Sequence, residues 1–248
     1  MAPFFQSAQK KKNMQDQFSH DAPGAQAFAI SSQPHKAGEL PQVVLPLCLT
    51  RFTSTADPLT KTFTRTVDGN VQKKAAAQLW RGRAERVEVH TMAQLLEVVE
   101  GLNDHQALGW GVPTGGRRAV TIAPGKTVAG GSAPPGAVAR TKQEFEWPDG
   151  PGILMLDHDG GRDGGPALPR EALIQKLNAA MPELALVSLL TGRSASASVS
   201  EAHDGKPVGD PNKGRLYVPV TSAKSIPALG SLLVKRLWLQ GDGWFEVS

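Results

Sequence analysis

The chain has one cysteine, Cys48, among its 248 residues, so it can form neither an intramolecular disulfide nor a multi-thiolate zinc site. It has no apolar run near the roughly 20 residues that a membrane-spanning helix needs. Close to Met1, the triplet Lys10-Lys11-Lys12 is followed by no apolar core, which argues against a secretory signal. These absences predict a protein with no membrane partner and a cytoplasmic location. An excess of polar residues is missing too. With 40% hydrophobic and 20% charged residues, the composition excludes wholesale disorder. The length suffices for one large domain or two small ones with a proper core. The formal net charge of +4 permits a polyanionic partner without demanding one.

Residues 1–41 are rich in Gln, Ser, Lys, Pro and Gly without a sustained period, which predicts a disordered basic arm. Order is expected from 42 to 248, beginning with the apolar run Val43-Val44-Leu45-Pro46-Leu47. Cys48 beside it reads as a small core residue. Arg86 to His90 alternates like a half-buried strand. Thr91 with Gln94 three residues on forms a capping box, followed by Met92, Leu95, Leu96 and Val99 on one helical face and a stop at Gly101. Gly111 to Gly136 reads as a long loop around one short strand, Ala119 to Ile122. The second half predicts a buried strand over Gly152–Asp157 and a helix entered at Pro169 and stopped by Pro182. Strands follow over Leu184–Leu190 and Arg215–Val220, then an amphipathic helix over Ile226–Leu239 and a last strand over Trp244–Val247. No internal repeat is visible, and the alternation is that of an α/β or α+β domain.

Chemistry concentrates in three places. In Ile153-Leu154-Met155-Leu156-Asp157-His158-Asp159, side chains two apart on a strand share a face, so Asp157 and Asp159 can converge just past an apolar strand. Two carboxylates so close repel unless a cation lies between them, and hard Mg²⁺ or Mn²⁺ prefers oxygen ligands. The competing reading is a solvated Asp-rich turn, because Gly160, Gly161, Gly164 and Gly165 follow. A calcium EF-hand does not fit, since Arg162 and Leu168 occupy its Gly and Glu positions. His158 should point to the opposite face and is not expected to be a ligand. The second place is Arg193-Ser194-Ala195-Ser196, where small hydroxyl residues let backbone approach phosphate and Arg193 supplies a bidentate donor; in isolation it reads as a surface loop. The third is Lys213-Gly214-Arg215, two cations opening an apolar strand, suited to a triphosphate if a metal lies beside it and otherwise a solvated strand edge. Gly125-Lys126-Thr127 looks like the end of a P-loop, but Val120 stands where the leading Gly is required.

These elements come in a fixed order with several smaller ones: Arg51-Phe52-Thr53-Ser54, His105-Gln106-Ala107-Leu108 with Gly111-Val112-Pro113, Ala139-Arg140-Thr141, Pro148-Asp149-Gly150-Pro151-Gly152, Gly214-Arg215-Leu216-Tyr217 and Lys235-Arg236-Leu237-Trp238-Leu239. The set, spread from about Leu47 to Ser248, resembles the archaeo-eukaryotic primase superfamily, most of all the primase-polymerase domains of mobile-element and phage replication proteins. The resemblance implies a mixed sheet flanked by helices with an RRM-like C-terminal half. It implies a metal-dependent nucleotidyltransferase acting on nucleoside triphosphates and on single-stranded or primer-template nucleic acid, with a helicase domain or partner. Asp157 and Asp159 match the metal-binding pair of that superfamily. Arg193, Ser194, Ser196, Lys213 and Arg215 would cradle the triphosphate, and Arg140 and Lys142 would contact nucleic acid.

Two departures stand out. Arg215 occupies the position of the nucleotide-contacting His. The superfamily's third carboxylate is expected beyond Trp244–Val247, where the sequence ends, so the domain is expected to be shortened at its C-terminus. Glu246 is the only late carboxylate on that segment. Two other readings follow: a non-catalytic nucleotide- or nucleic-acid-binding module of the same fold, and an unrelated metal-dependent hydrolase built on the Asp-rich turn.

Overall fold

The computed structural model describes residues 5–7, 29–31, 46–65, 71–75, 78–160, 166–194, 197, 199–200, 205 and 209–242. Two antiparallel sheets carry the fold. The first has five strands, β1 (Phe5–Ser7), β3 (Leu47–Ser54), β6 (Gly82–Val89), β7 (Gln106–Gly109) and β9 (Ala119–Ile122), in the order β1-β7-β3-β6-β9. The second has four, β2 (Ala29–Ser31), β11 (Gly152–His158), β12 (Leu189–Arg193) and β13 (Gly214–Val220), in the order β11-β13-β12-β2. A two-stranded ribbon, β4 (Lys61–Arg65) with β5 (Val71–Ala75), and a short pair, β8 (Val112–Pro113) with β10 (Phe145–Glu146), complete the strands of the described residues. Helices α1 (Met92–Glu100), α2 (Gly125–Ala129), α3 (Arg170–Ala180) and α4 (Ile226–Leu239) connect them. The arrangement is mixed α+β.

Strand alternation sorts the side chains into three apolar layers. Leu47, Leu49, Val89, Leu108 and Trp110 of the first sheet's side meet Ile153, Leu190 and Tyr217 of the second, with Leu95 and Val99 of α1 closing the layer. Leu154, Leu216 and Val218 point the other way, against Leu177 of α3 and Leu233 of α4. The outer face of the first sheet, with Phe52, Ala84, Ala107 and Val120, is covered by Leu59, Leu79, Val138 and Phe145 from the connecting segments. Each fully buried Leu or Phe contributes roughly 1.5–3 kcal/mol. Gly152 is required where β11 begins, because a Cβ there would lie 2.5 Å from Cβ of Ala223, just ahead of α4.

Thr91 caps α1, and Gln94 reaches back past it to His90. Thr91 Oγ1 accepts from the backbone N–H of Gln94 at 3.0 Å, and Gln94 Oε1 accepts from the N–H of His90 at 2.6 Å.

Elsewhere the structure departs from the sequence reading. Pro182–Leu186 is a 3₁₀ turn rather than the start of a strand, which begins only at Leu189. Pro182 fits the first turn of a helix, and Leu184 is already buried from there. The stretch read as a loop from Gly111 to Gly136 also holds β8 and α2. The first core strand starts at Leu47, after Pro46, and Val43 to Leu45 lie outside the described residues. Cys48 is half-buried rather than core, and its Sγ accepts from Arg86 Nη2 at 2.9 Å. Within residues 1–41, read as an arm, Phe5–Ser7 pairs with β7 and Ala29–Ser31 with β12. Unpaired sheet edges offer hydrogen bonds that even weakly patterned segments can take. Trp244–Val247, and Glu246 with it, lie outside the described residues.

A cation-lined cavity at the end of the second sheet

Ladder register fixes which side chains meet at the end of the second sheet. Across β11, β13 and β12 the rows are Leu156–Leu216–Thr191, then Asp157–Arg215–Gly192, then His158–Gly214–Arg193. Successive rows face opposite sides. Leu216 packs into the helix-covered layer and Tyr217 into the layer between the sheets. His158 and Arg193 therefore belong to the helix side, and Asp157 and Arg215 to the inter-sheet side. Gly214 lets β12 and β13 approach: a Cβ there would lie 2.7 Å from the carbonyl oxygen of Gly192.

On the inter-sheet side the charges neutralise each other. Arg215 Nε lies 3.2 Å from Asp157 Oδ1, with 16% of the Arg215 side chain and 41% of the Asp157 side chain exposed. Asp159 follows the last residue of β11 and is exposed. Among the described residues no group of three His, Cys, Asp or Glu side chains is placed to hold a metal ion.

Where β12 ends and β13 begins, next to the first turn of α3, a cavity of about 350 Å³ is lined by His158, Arg170, Thr191, Arg193, Lys213 and Arg215. That volume lies in the small-molecule range. Four cations border it, and Glu171 is the one carboxylate among its described lining residues. Glu171 is held by Arg170 at 3.1 Å, and hydrogen bonds from its own backbone N–H and from Arg170 keep its carboxyl below the usual range. Arg170 Nη1 also reaches Thr191 Oγ1 at 3.5 Å, linking helix to sheet. Pro169, the residue before α3, offers no side-chain cap, so the helix's first amides add partial positive charge on this side.

The rim is held by two side chains. The carboxylate of Asp210 accepts from the N–H of Ala167 and, at 2.9 Å, from that of Asn212. These two N–H donors, with Lys213 and His158 nearby, hold its carboxyl below the usual carboxylate range. His158 Nε2 accepts from the N–H of Leu168 at 2.8 Å, so this ring supports the entry to α3.

Among the residues expected to cradle phosphate, Arg193, Lys213 and Arg215 converge on the cavity. Ser194 does not line it; that residue is buried, and its N–H donates to the carbonyl of Lys213 at 3.0 Å. Ser196 lies outside the described residues. Arg140 and Lys142 belong to the segment between β9 and β10 on the first sheet. Burial pushes the Arg140 guanidinium pKa down, whereas Lys142 is exposed. Arg170 is the cavity cation that sequence reasoning missed, and the signal was slight: a cation directly after a helix-opening Pro.

Comparison with protein-family models, curated proteins and solved structures found no match to this chain.

Proposed function

We propose that this chain binds a nucleoside triphosphate by its phosphates, as the nucleotide-binding part of a primase-polymerase-type nucleotidyltransferase serving replication of a mobile element or phage. One observation carries the reading: Arg170, Arg193, Lys213 and Arg215, from three separate stretches of chain, border a single cavity in which the one carboxylate among the described lining residues is already paired. Charge-assisted contacts from guanidinium to phosphate contribute about 1.5–3 kcal/mol each, so removing a single Arg should be measurable.

The transfer step rests on the resemblance and on Asp157 and Asp159 at the neighbouring strand end. Mg²⁺ commonly binds through one or two carboxylates plus substrate phosphates. The exposed pair fits one such ion shared with a bound triphosphate, and Mg²⁺ or Mn²⁺ would supply charge neutralisation at the phosphorus. Arg215, which pairs with Asp157 and also borders the cavity, links the carboxylate to the phosphate seat.

A second reading, a binding module without catalysis, is favoured by Asp157 being neutralised by Arg215 on the face opposite His158 and Arg193. Two measurements separate the readings. Titration with a labelled nucleoside triphosphate should show binding that Arg193→Ala weakens, and unchanged affinity in that variant removes the cavity from the proposal. Primer extension with Mn²⁺, lost in Asp157→Ala, supports the transferase. Nucleotide binding without any extension by the unaltered chain favours the binding module.

A further inference from the structure

Helix α4 is apolar on more than the face it buries. Ile226, Leu233 and Leu237 turn into the layer shared with α3 and the second sheet. On its outer side Pro227, Ser231, Val234 and Trp238 recur at i, i+4, i+7 and i+11, which makes one helical stripe, and all four are exposed. Leu232, Lys235 and Leu239 adjoin that stripe and are exposed as well. Val234 is 63% exposed, Trp238 49% and Leu239 80%; besides α4, only Trp80 and Leu186 are exposed large apolar side chains among the described residues. Lys235 and Arg236 are the only charged residues in Ile226–Leu239. A helix that is apolar all round is built to be covered all round, and a contiguous apolar patch on a surface marks a contact site.

This face complements itself when turned end for end. Its N-terminal half is small, with Ala228, Ser231 and, at its edge, Gly230, where an added Cβ would meet nothing within 4 Å. Its C-terminal half is large, with Val234, Trp238 and Leu239. Charge reverses along the same axis. At the N-terminal end Asp149 pairs with Lys224, Glu146 adds a second carboxylate acting on that lysine, and both acids are exposed. In the C-terminal half Lys235 is the exposed cation, because Arg236 donates to the carbonyl of Ala180 at 3.3 Å and lies 3.8 Å from Glu183.

We infer that the outer face of α4 is the seat of a two-fold homodimer in which the helices of two copies pack antiparallel. With the crossing near Ser231, Val234 of one copy comes level with Ala228 of the other, and Trp238 lies one turn beyond. Lys235 comes level with Pro227 of the other copy, one turn from Lys224 and its partner Asp149. Large side chains meet small ones, a cation meets a carboxylate, and the two helix dipoles oppose each other. The two-fold axis makes every contact twice. One helix face per copy buries less than the roughly 1,600 Å² of a standard interface, so the dimer is weak and concentration-dependent. The inference is independent of the proposed function, since none of the cavity's described lining residues is on α4.

The test is sedimentation velocity on the full chain from about 1 to about 200 µM, without nucleotide. The parent chain should pass from monomer towards dimer across that range. Val234→Lys and Trp238→Ala should each raise the dissociation constant about tenfold or more, because each change is made on both sides of the axis. Val234 is mostly exposed, so Val234→Lys should keep the unfolding midpoint that the dilute, monomeric parent chain shows. Lys235→Glu should weaken the dimer, because the new carboxylate would approach Asp149. Parallel helices would instead bring two lysines together, and the same change would strengthen the dimer. Ser231→Cys, at the crossing, should yield a covalent dimer under mild oxidation that the parent chain, with Cys48 alone, does not form. A parent chain that stays monomeric throughout, as it would if a different protein covered α4, overturns the inference. So does a dimer indifferent to Val234→Lys and Trp238→Ala, one that Lys235→Glu strengthens, or one that Ser231→Cys fails to cross-link.

Discussion

On the inter-sheet side of β13, Arg215 meets Asp157 directly across the ladder at 3.2 Å. One row further on, Arg193 meets Gly214, which has no side chain to offer, and shares its surroundings with Arg170 and Lys213. The same three strands thus present a row that neutralises itself and a row that concentrates unlike-charge demand on a ligand. A salt bridge within a row stabilises or orients what is already there. A cluster of like charges around a cavity costs the free protein self-repulsion, which an anion relieves. This difference explains why the cavity, rather than the acidic pair, carries the functional argument.

Breaking the rows themselves should have the largest effect. Gly214→Ala sets a Cβ 2.7 Å from a backbone carbonyl oxygen, so β12 and β13 must separate. The expected cost is about 1–3 kcal/mol of stability, read by urea unfolding, with loss of nucleotide binding. Stability like that of the parent chain would mean that the strands do not approach as described.

Next come the cations. Arg193→Ala is expected to weaken nucleotide binding by about 1.5–3 kcal/mol, and Arg215→Ala by about 1 kcal/mol, because part of the Arg215 guanidinium already serves Asp157. Isothermal titration of both variants decides the order, and the reverse order would contradict the division between the two sides.

The rim gives a smaller, pH-dependent effect. Asp210 has its carboxyl lowered in the folded chain by the N–H groups of Ala167 and Asn212. Its contribution to stability is therefore fully present above the unfolded carboxyl value of about 3.9 and is lost as pH falls through the lower folded value. The stability difference between the parent chain and Asp210→Asn should be largest near neutrality and vanish in acid. A difference independent of pH across unfolding curves would show that the Asp210 charge plays no part.

The smallest effect belongs to Lys224, just ahead of α4, whose ion pair with Asp149 is exposed. Lys224→Ala should leave the thermal midpoint unresolved from that of the parent chain.

Local signals in the sequence were legible where a short stretch decides its own geometry. The Thr91–Gln94 cap, the helix over Ile226–Leu239 and the strand over Ala119–Ile122 all lie where spacing and capping residues put them. The sequence reading failed at Leu184, because burial in a 3₁₀ turn and burial in a strand leave the same apolar residues in the chain. It set Arg193, Lys213 and Arg215 together, as the cavity does, but it could not see that Asp157 joins a different row from Arg193, since order along the chain says nothing of which row a residue joins. Arg170 was missed because its neighbours in the cavity, Thr191 and Arg193, are brought to it only when α3 packs over the sheet.

The sequence alone determined the apolar strands and helices, their α+β alternation, and the clustering of Asp and basic residues at strand ends, because these depend on local period and composition. Only the tertiary structure decided that Asp157 and Arg193 face opposite sides and that Arg215 is shared between a carboxylate and a cavity. Those outcomes follow from ladder register and layer packing, in which a shift of one residue exchanges the two faces of a sheet.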